Sequence, residues 1–315
     1  MENLFKRKEI RPMLIGVESD AFDDPAFLYE LKLDGERCIA YLDPDGETDL
    51  RNKRNLKLLP KVPELSGIHR QVRHRCILDG ELAVIKNGKP NFSEIQRRSM
   101  MTDPTKIELA SRFSPACFTA FDILYDKDRA VNLLPLTERK RLLENVIRSE
   151  SARFARSRYV EGKGVTFYQL TERQELEGIV AKRMNSPYFF DKRTKDWIKC
   201  KNLKDDDFVV CGYLPKEDHM TSVVLGQYRN GKLTYQGHVT LGVGGEDFRR
   251  IKAIPKRSGP PFPGPVPSGN EAVRWVDPIL VCTVRYMTRS ESGAMRQPVF
   301  KGLREDKDAR ECIAP

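Results

Sequence analysis

The chain of 315 residues contains no apolar run long enough to span a bilayer. Its opening, MENLFKRKEIRPMLIG, is charged within two residues and lacks the apolar core of a secretory signal, which points to the cytoplasm. Cysteine pairing is also missing. Cys38, Cys76, Cys117, Cys200, Cys211, Cys282 and Cys312 are odd in number and scattered, with no Cys-x-x-Cys pair. That pattern suggests neither a disulfide framework nor a zinc site, so reduced thiols in a reducing compartment are expected. Histidine is sparse. His69 and His74 lie five apart without a third ligand and are expected at the surface. No internal repeat is evident.

What is present is charge. Fifty-five lysines and arginines face 45 acidic residues, a formal net charge of +10. A basic balance of this size favours polyanionic partners, because neutralising phosphates releases condensed counterions. The length suits two domains, each with its own core. From Phe27 to about Leu203, short β-like runs alternate with a few helical ones. Asp43-Pro44-Asp45-Gly46, Asn87-Gly88 and Asn230-Gly231 read as hairpin turns. FTAFDILYD reads as a buried strand. Capping boxes at Ser93/Gln96 and Thr171/Gln174 predict two helix starts, and LTERKRLLENVI has helical spacing. After Asn202 the texture becomes that of a small β-barrel, interrupted by the proline-rich PKRSGPPFPGPVPSGN. The expected boundary separates residues 1–202 from 203–315.

The stretch YELKLDGERCIAY places Lys32 in a mostly apolar, strand-like run, where a charge is costly unless paired or used. On strand alternation Lys32 and Asp34 share a face, and Gly35 permits close backbone approach to a ligand. One reading is a nucleophilic lysine with Arg37 reaching phosphate or sugar; the other is an exposed strand and a turn. Further chemistry-bearing stretches follow in order: KRN from Lys53 to Asn55, ILDGELAV with Asp79 and Glu81, AFDILYD with Asp122, LEGIVAKRMNSPY with Glu177 and Lys182, DWIKCKN with Lys199 and Lys201, and VFKGLREDKD with Arg304 and Lys307. Singly, each fits a solvated surface.

As an ordered set, these stretches resemble the covalent nucleotidyltransferases, and most closely the ATP-dependent DNA ligases. KLDGER matches the nucleophile motif KxDGxR in full. DGE, AFDILY, EGIVAK and WIKCK match the later motifs in sequence, KRN departs by carrying Lys53 where serine is usual, and RQPVFKGLREDK is similar to the ligase module of bacterial end-joining ligases. The resemblance implies an α+β fold: a nucleotidyltransferase domain of antiparallel sheets flanked by helices, then an OB-fold barrel. It implies three steps, in which lysine attacks the α-phosphorus of ATP, AMP passes to a DNA 5′-phosphate, and a 3′-hydroxyl seals the break.

The implied roles are as follows. Lys32 is the nucleophile, made neutral by a cationic field from Lys199, Lys201, Arg37 and a divalent metal. Lys199 and Lys201 hold the α-phosphate. Asp34 serves the later steps, and Arg37 contacts ribose or phosphate. Phe121 stacks on adenine with Val180 or Ile179 opposite, and Glu30 reads the exocyclic amine. Glu81 and Glu177 hold Mg²⁺ or Mn²⁺. Arg54 contacts nucleotide and DNA, and Arg193 contacts DNA. Arg304 and Lys307 orient pyrophosphate in the first step, and NLKDDD is the hinge. Asp122 and Tyr125 are structural supports. The implied substrates are ATP and nicked or broken duplex DNA, the implied partner a Ku-like end-binding protein, and the implied state a monomer in the cytoplasm, used at the bacterial nucleoid. Two rivals stay open: a capping guanylyltransferase or RNA ligase, and a non-catalytic DNA-binding protein on the same scaffold.

Overall fold

A computed structural model describes residues 4–215, 221–290 and 293–314. The chain divides into two compact units, Met1–Asn202 and Leu203–Pro315.

Alternation builds the first unit. Strands β1 (Leu14–Glu18), β2 (Phe27–Leu31), β3 (Glu36–Leu42), β4 (Thr48–Asn52), β5 (Cys76–Lys86), β6 (Lys89–Pro90), β7 (Ala116–Asp126), β8 (Arg129–Ala130), β9 (Phe154–Arg156), β10 (Tyr159–Glu161), β11 (Gly178–Arg183) and β12 (Arg193–Lys201) form two sheets. The first has the order β1-β12-β11-β2-β10, and the second β4-β3-β5-β7-β8, with β6 on β5 and β9 on β7. On β3, Cys38, Ala40 and Leu42 face one core. That core is shared with helix α4 (Leu136–Val146) through Leu143 and Val146. Ile39 and Tyr41 face the opposite way, toward Val180 and Trp197 of the other sheet and Tyr188 of the connection between β11 and β12. The far side of that sheet buries Phe27, Tyr29, Ile179, Ala181 and Cys200 beneath helix α5 (Gly164–Arg173). The two sheets therefore stack face to face with helices outside, an α+β arrangement as the sequence leads one to expect.

Several local expectations hold. Asp43–Gly46 turns β3 into β4, with Gly46 N–H donating to the Asp43 carbonyl. Asn87 and Gly88 have φ of 53° and 76°, the paired positive values a two-residue turn requires. Others fail. Helix α2 (Phe92–Met100) starts two residues earlier than a cap at Ser93 implies, because Asn91 caps it by accepting from Glu94 N–H. Thr171 lies in the last turn of α5 instead of opening a helix; its hydroxyl donates back to the Tyr168 carbonyl. His69 is buried, its Nδ1 lying 2.9 Å from the Ser66 carbonyl, and His74 pairs with Asp126 at 2.5 Å. Arg98 of the basic run IQRRSMM is fully buried and bound to Glu64.

The second unit is built on β13 (Lys204–Pro215), β14 (Thr221–Arg229), β15 (Lys232–Val239), β16 (Arg274–Trp275), β17 (Val281–Tyr286) and β18 (Val299–Arg304). Their order is β15-β14-β13-β17-β18, with β16 on β13. Asn230 and Gly231, at φ 51° and 74°, make the β14–β15 turn. β13 buries Phe208 and Val210 in one core and Val209 and Cys211 in another. Helix α6 (Gly245–Ala253, following α3, Pro104–Phe113, of the first unit) closes the former through Ile251. The proline-rich loop closes the latter through Phe262, packed edge-on against Trp275. All seven cysteines are free thiols, and only Cys117 is not fully buried.

Candidate active site and the family it belongs to

Between the stacked sheets lies a cavity lined among others by Glu30, Lys32, Arg37, Glu81, Phe121 and Val180. Strand pairing sets its walls. β11 runs antiparallel to β12, so Lys182 faces Trp197 and Val180 faces Lys199 across the seam. Directly paired residues share a sheet face. Trp197, Lys199 and Lys201 therefore project on the side that Val180 presents to the cavity. Ile179 points the other way, into the core beneath α5, so of the two Val180 is the one that lines the cavity.

Lys32 is not in a strand. β2 ends at Leu31, and Lys32 to Asp34 form the link to β3, which belongs to the other sheet. The shared-face argument for Lys32 and Asp34 therefore does not apply. The Lys32 amide donates to the Gly178 carbonyl at 2.9 Å, and its ammonium lies 2.6 Å from Glu177 Oε1. Gly35 makes a close approach to protein: a Cβ there would stand 2.1 Å from the Leu82 carbonyl oxygen.

The cations expected to make a field around Lys32 are paired with carboxylates, Arg37 with one and Lys199 and Lys201 with another that they share. Arg37 forms a bidentate pair with Asp79, at 2.6 and 2.5 Å, and Asp79 also accepts from Tyr188 Oη. Burial pulls the Arg37 pKa down, but Asp79 holds it up. The guanidinium thus lines the cavity while bound to Asp79, its centre 4.6 Å from the Phe121 ring centroid. Lys199 and Lys201 both reach Glu18 Oε2, at 3.1 and 3.3 Å. Burial opposes ionisation of Glu18, yet these two lysines hold its carboxyl below the usual range.

Glu30 lines the cavity, but its carboxylate is clasped by Lys140 and, at 3.1 Å, by Lys182. An exocyclic amine must therefore share it. Burial raises and the two lysines lower its pKa, and the lysines prevail. Lys182 itself is pushed down to about 8 by burial, with Glu30 opposing, and sits 4.0 Å from the Trp197 ring centroid and 4.3 Å from that of Phe121. Asp122 and Arg139 form a fully buried bidentate pair, and Tyr125 is buried in the intersheet core.

Among the described residues, no group of three or more His, Cys, Asp or Glu is arranged to hold a metal. Glu81 nevertheless fits a partial metal shell. Burial, with Asp79 and Glu177 nearby, pushes its carboxyl up to about 8 although Arg37 and Lys32 pull it down. Burial is the largest cause, and a cation bound beside Glu81 would favour its ionised form. A hard divalent ion held by two carboxylates, phosphate oxygens and water suits such a site.

Arg54 and Lys53 are exposed on the turn after β4, where the Asn52 side chain accepts from the Arg54 and Leu56 amides. They line a second groove that shares Arg37 and Glu81 with the cavity. Arg193 is exposed and donates to the Ile15 carbonyl at 2.7 Å, tying β12 to β1. In the second unit Arg304 and Lys307 converge on Asp207, at 2.7 and 2.9 Å. Asp207 belongs to the stretch read as a hinge; here it lies within β13.

Residues 13–201 match the family described as ATP dependent DNA ligase domain, and residues 216–307 the ATP dependent DNA ligase C terminal region. The chain belongs to the ATP-dependent DNA ligase family. Its two units are accordingly a nucleotidyltransferase domain and an OB-fold domain. The chain is 30% identical over 300 residues to the bifunctional non-homologous end joining protein LigD of Bacillus subtilis, covering 90% of this chain and 47% of that protein. It is 26% identical to the SPbeta prophage-derived DNA ligase-like protein LigB of the same organism, covering 94% and 99%. Among solved structures, the ligase domain of M. tuberculosis LigD aligns over 98% of this chain and 99% of its own, at 25% identity and a TM-score of 0.56. Mycobacterial DNA ligase D complexed with ATP and MES aligns over the same shares at 26% identity and a TM-score of 0.57. The chain spans about half the length of the Bacillus LigD it matches, and 37% of the M. tuberculosis one.

The motif reading missed Glu18, Lys140 and Asp207. Each is a charge whose partners lie far away in sequence, so neither spacing nor composition marks it as part of a site.

Proposed function

We propose that the chain joins 5′-phosphate and 3′-hydroxyl ends of duplex DNA at the expense of ATP, through a lysyl-AMP and then an AMP-DNA intermediate. The observation that carries this reading is Lys32 lining a cavity with Glu30, Arg37, Glu81, Phe121 and Val180, its ammonium on Glu177. The family match supplies the reaction class.

In the first step the amine of Lys32 attacks the α-phosphorus and pyrophosphate leaves, so the amine must first lose a proton. Glu177 lies at hydrogen-bond distance to accept it. Lys199 and Lys201, on the cavity side of β12, stabilise charge developing on the α-phosphate oxygens. Phe121 and Val180 bound the adenine, and Glu30 with Lys182 gives its edge one acceptor and one donor. Mg²⁺ or Mn²⁺, when bound by Glu81 and Glu177, supplies positive charge beside the phosphates. Arg304 and Lys307 act on the leaving pyrophosphate. Asp34 serves sealing, and Arg54 and Arg193, both exposed, contact DNA.

The work is DNA repair by break joining, in the cytoplasm at the nucleoid, by a monomer aided by a Ku-like end-binding protein. The names of the LigD relatives support the end-joining part. Treatment with labelled ATP, followed by peptide mapping, should place AMP on Lys32, and the adenylated protein should seal a nicked duplex. Transfer from GTP alone would favour the capping-enzyme rival. DNA binding without any adduct would favour the non-catalytic one.

A further inference from the structure

Glu18 closes β1, and β1 runs parallel to β12 with Glu18 opposite Lys199. The pairing shifts register between Ile15 and Val17. Gly16 permits the close passage there, since a Cβ would stand 2.2 Å from the Thr194 carbonyl oxygen. The shift delivers the Glu18 side chain to the lysines. One oxygen, Oε2, receives both ammonium groups, at 3.1 Å from Lys199 and 3.3 Å from Lys201. None of the three is sealed from solvent: Glu18 is 40% exposed, Lys199 30% and Lys201 13%.

Two ammonium groups converging on one oxygen is the geometry that a phosphate oxygen seeks. Here the chain's own carboxylate fills it. An interaction that only fastened β1 to β12 would need one lysine. The second cation on the same atom concentrates positive charge at a point.

We infer that Glu18 is an internal counter-anion that competes with phosphate for Lys199 and Lys201. It holds the two lysines together in the nucleotide-free protein, is displaced when the triphosphate enters, and returns when pyrophosphate leaves. No bond is made or broken in this exchange. A triphosphate carries more negative charge than a carboxylate and wins the site, while Glu18 weakens the grip on every anion bound there, pyrophosphate included. This rests on the reading that Lys199 and Lys201 receive the α-phosphate.

The test is calorimetric titration of the whole chain with inorganic pyrophosphate, in the wild type and in Glu18→Gln and Glu18→Ala. Removing an exposed competing charge should tighten binding roughly three- to tenfold. The KM for ATP in adenylate formation should fall by the same factor. A role confined to fastening β1 predicts the reverse, weaker binding and a raised KM. Unchanged or weaker pyrophosphate binding in both variants overturns the inference, while adenylate formation by the wild type would leave the ligase reading intact. If the wild type forms no adenylate yet the variants bind pyrophosphate more tightly, the counter-anion stands and the ligase reading falls.

Discussion

At the level of single residues, pairing governs the site. Lys32 shows how nucleophilicity and structural pairing separate. In Lys32→Arg the guanidinium keeps a partner in Glu177 but does not lose its proton. Labelled adenylate should vanish, while stability in urea stays within about 1 kcal/mol of wild type because the change is confined to one partly exposed pair. Lys182 offers a second handle. Its folded pKa lies near 8, below the ~10.4 of an unfolded lysine. Between those values the unfolded chain binds more protons, so this group makes stability rise with pH across that window and contributes a constant cost below it. Lys182→Met should flatten the rise, measured as the change in urea stability between about pH 7 and about pH 10.

At the level of strands and helices, two predictions test how the sheets hold the site. In Gly35→Ala the new Cβ meets the Leu82 carbonyl oxygen at 2.1 Å and Glu81 Cγ at 2.8 Å. It should cost roughly 1–3 kcal/mol by forcing β3 from β5 and should depress adenylation, read by urea melts and label transfer together. Arg139→Met strips Asp122 of its partner in a fully buried pair. It should cost about 3–5 kcal/mol, since an uncompensated charge is left in the core. Legibility divided along the same lines. The hairpin turns were readable because Asn-Gly and Asp-Pro-Asp-Gly fix local dihedrals. The motif residues Glu30, Lys32, Arg37, Glu81, Phe121 and Val180 do meet in one cavity. The assignment of Lys32 to a strand failed because the apolar run of β2 ends abruptly where the chain changes sheets. The helix start at Thr171 failed because a threonine that caps and a threonine that bonds back into the preceding turn look alike in sequence. The counter-ions Glu18, Asp79 and Asp207 were hidden as partners because tertiary pairing alone defines them.

At the level of the whole molecule, each unit carries its own cores: Ile39 to Trp197 meet in the first, and Phe208 to Phe300 in the second. Residues 1–202 expressed alone should therefore unfold cooperatively in urea. Arg304 and Lys307 share Asp207 in the second unit, and their proposed work is confined to the first step. Arg304→Ala should lose adenylation from ATP yet still seal a nick whose 5′-phosphate already bears AMP; loss of both activities would refute that division of labour. The free cysteines add a practical property. Six of the seven are shut inside, and burial raises the thiol of the partly covered Cys117 as well. A maleimide or a chromogenic disulfide reagent should find at most one quick target on the native protein and six slow ones, so the lag before full modification reports how often the chain opens, with no label added.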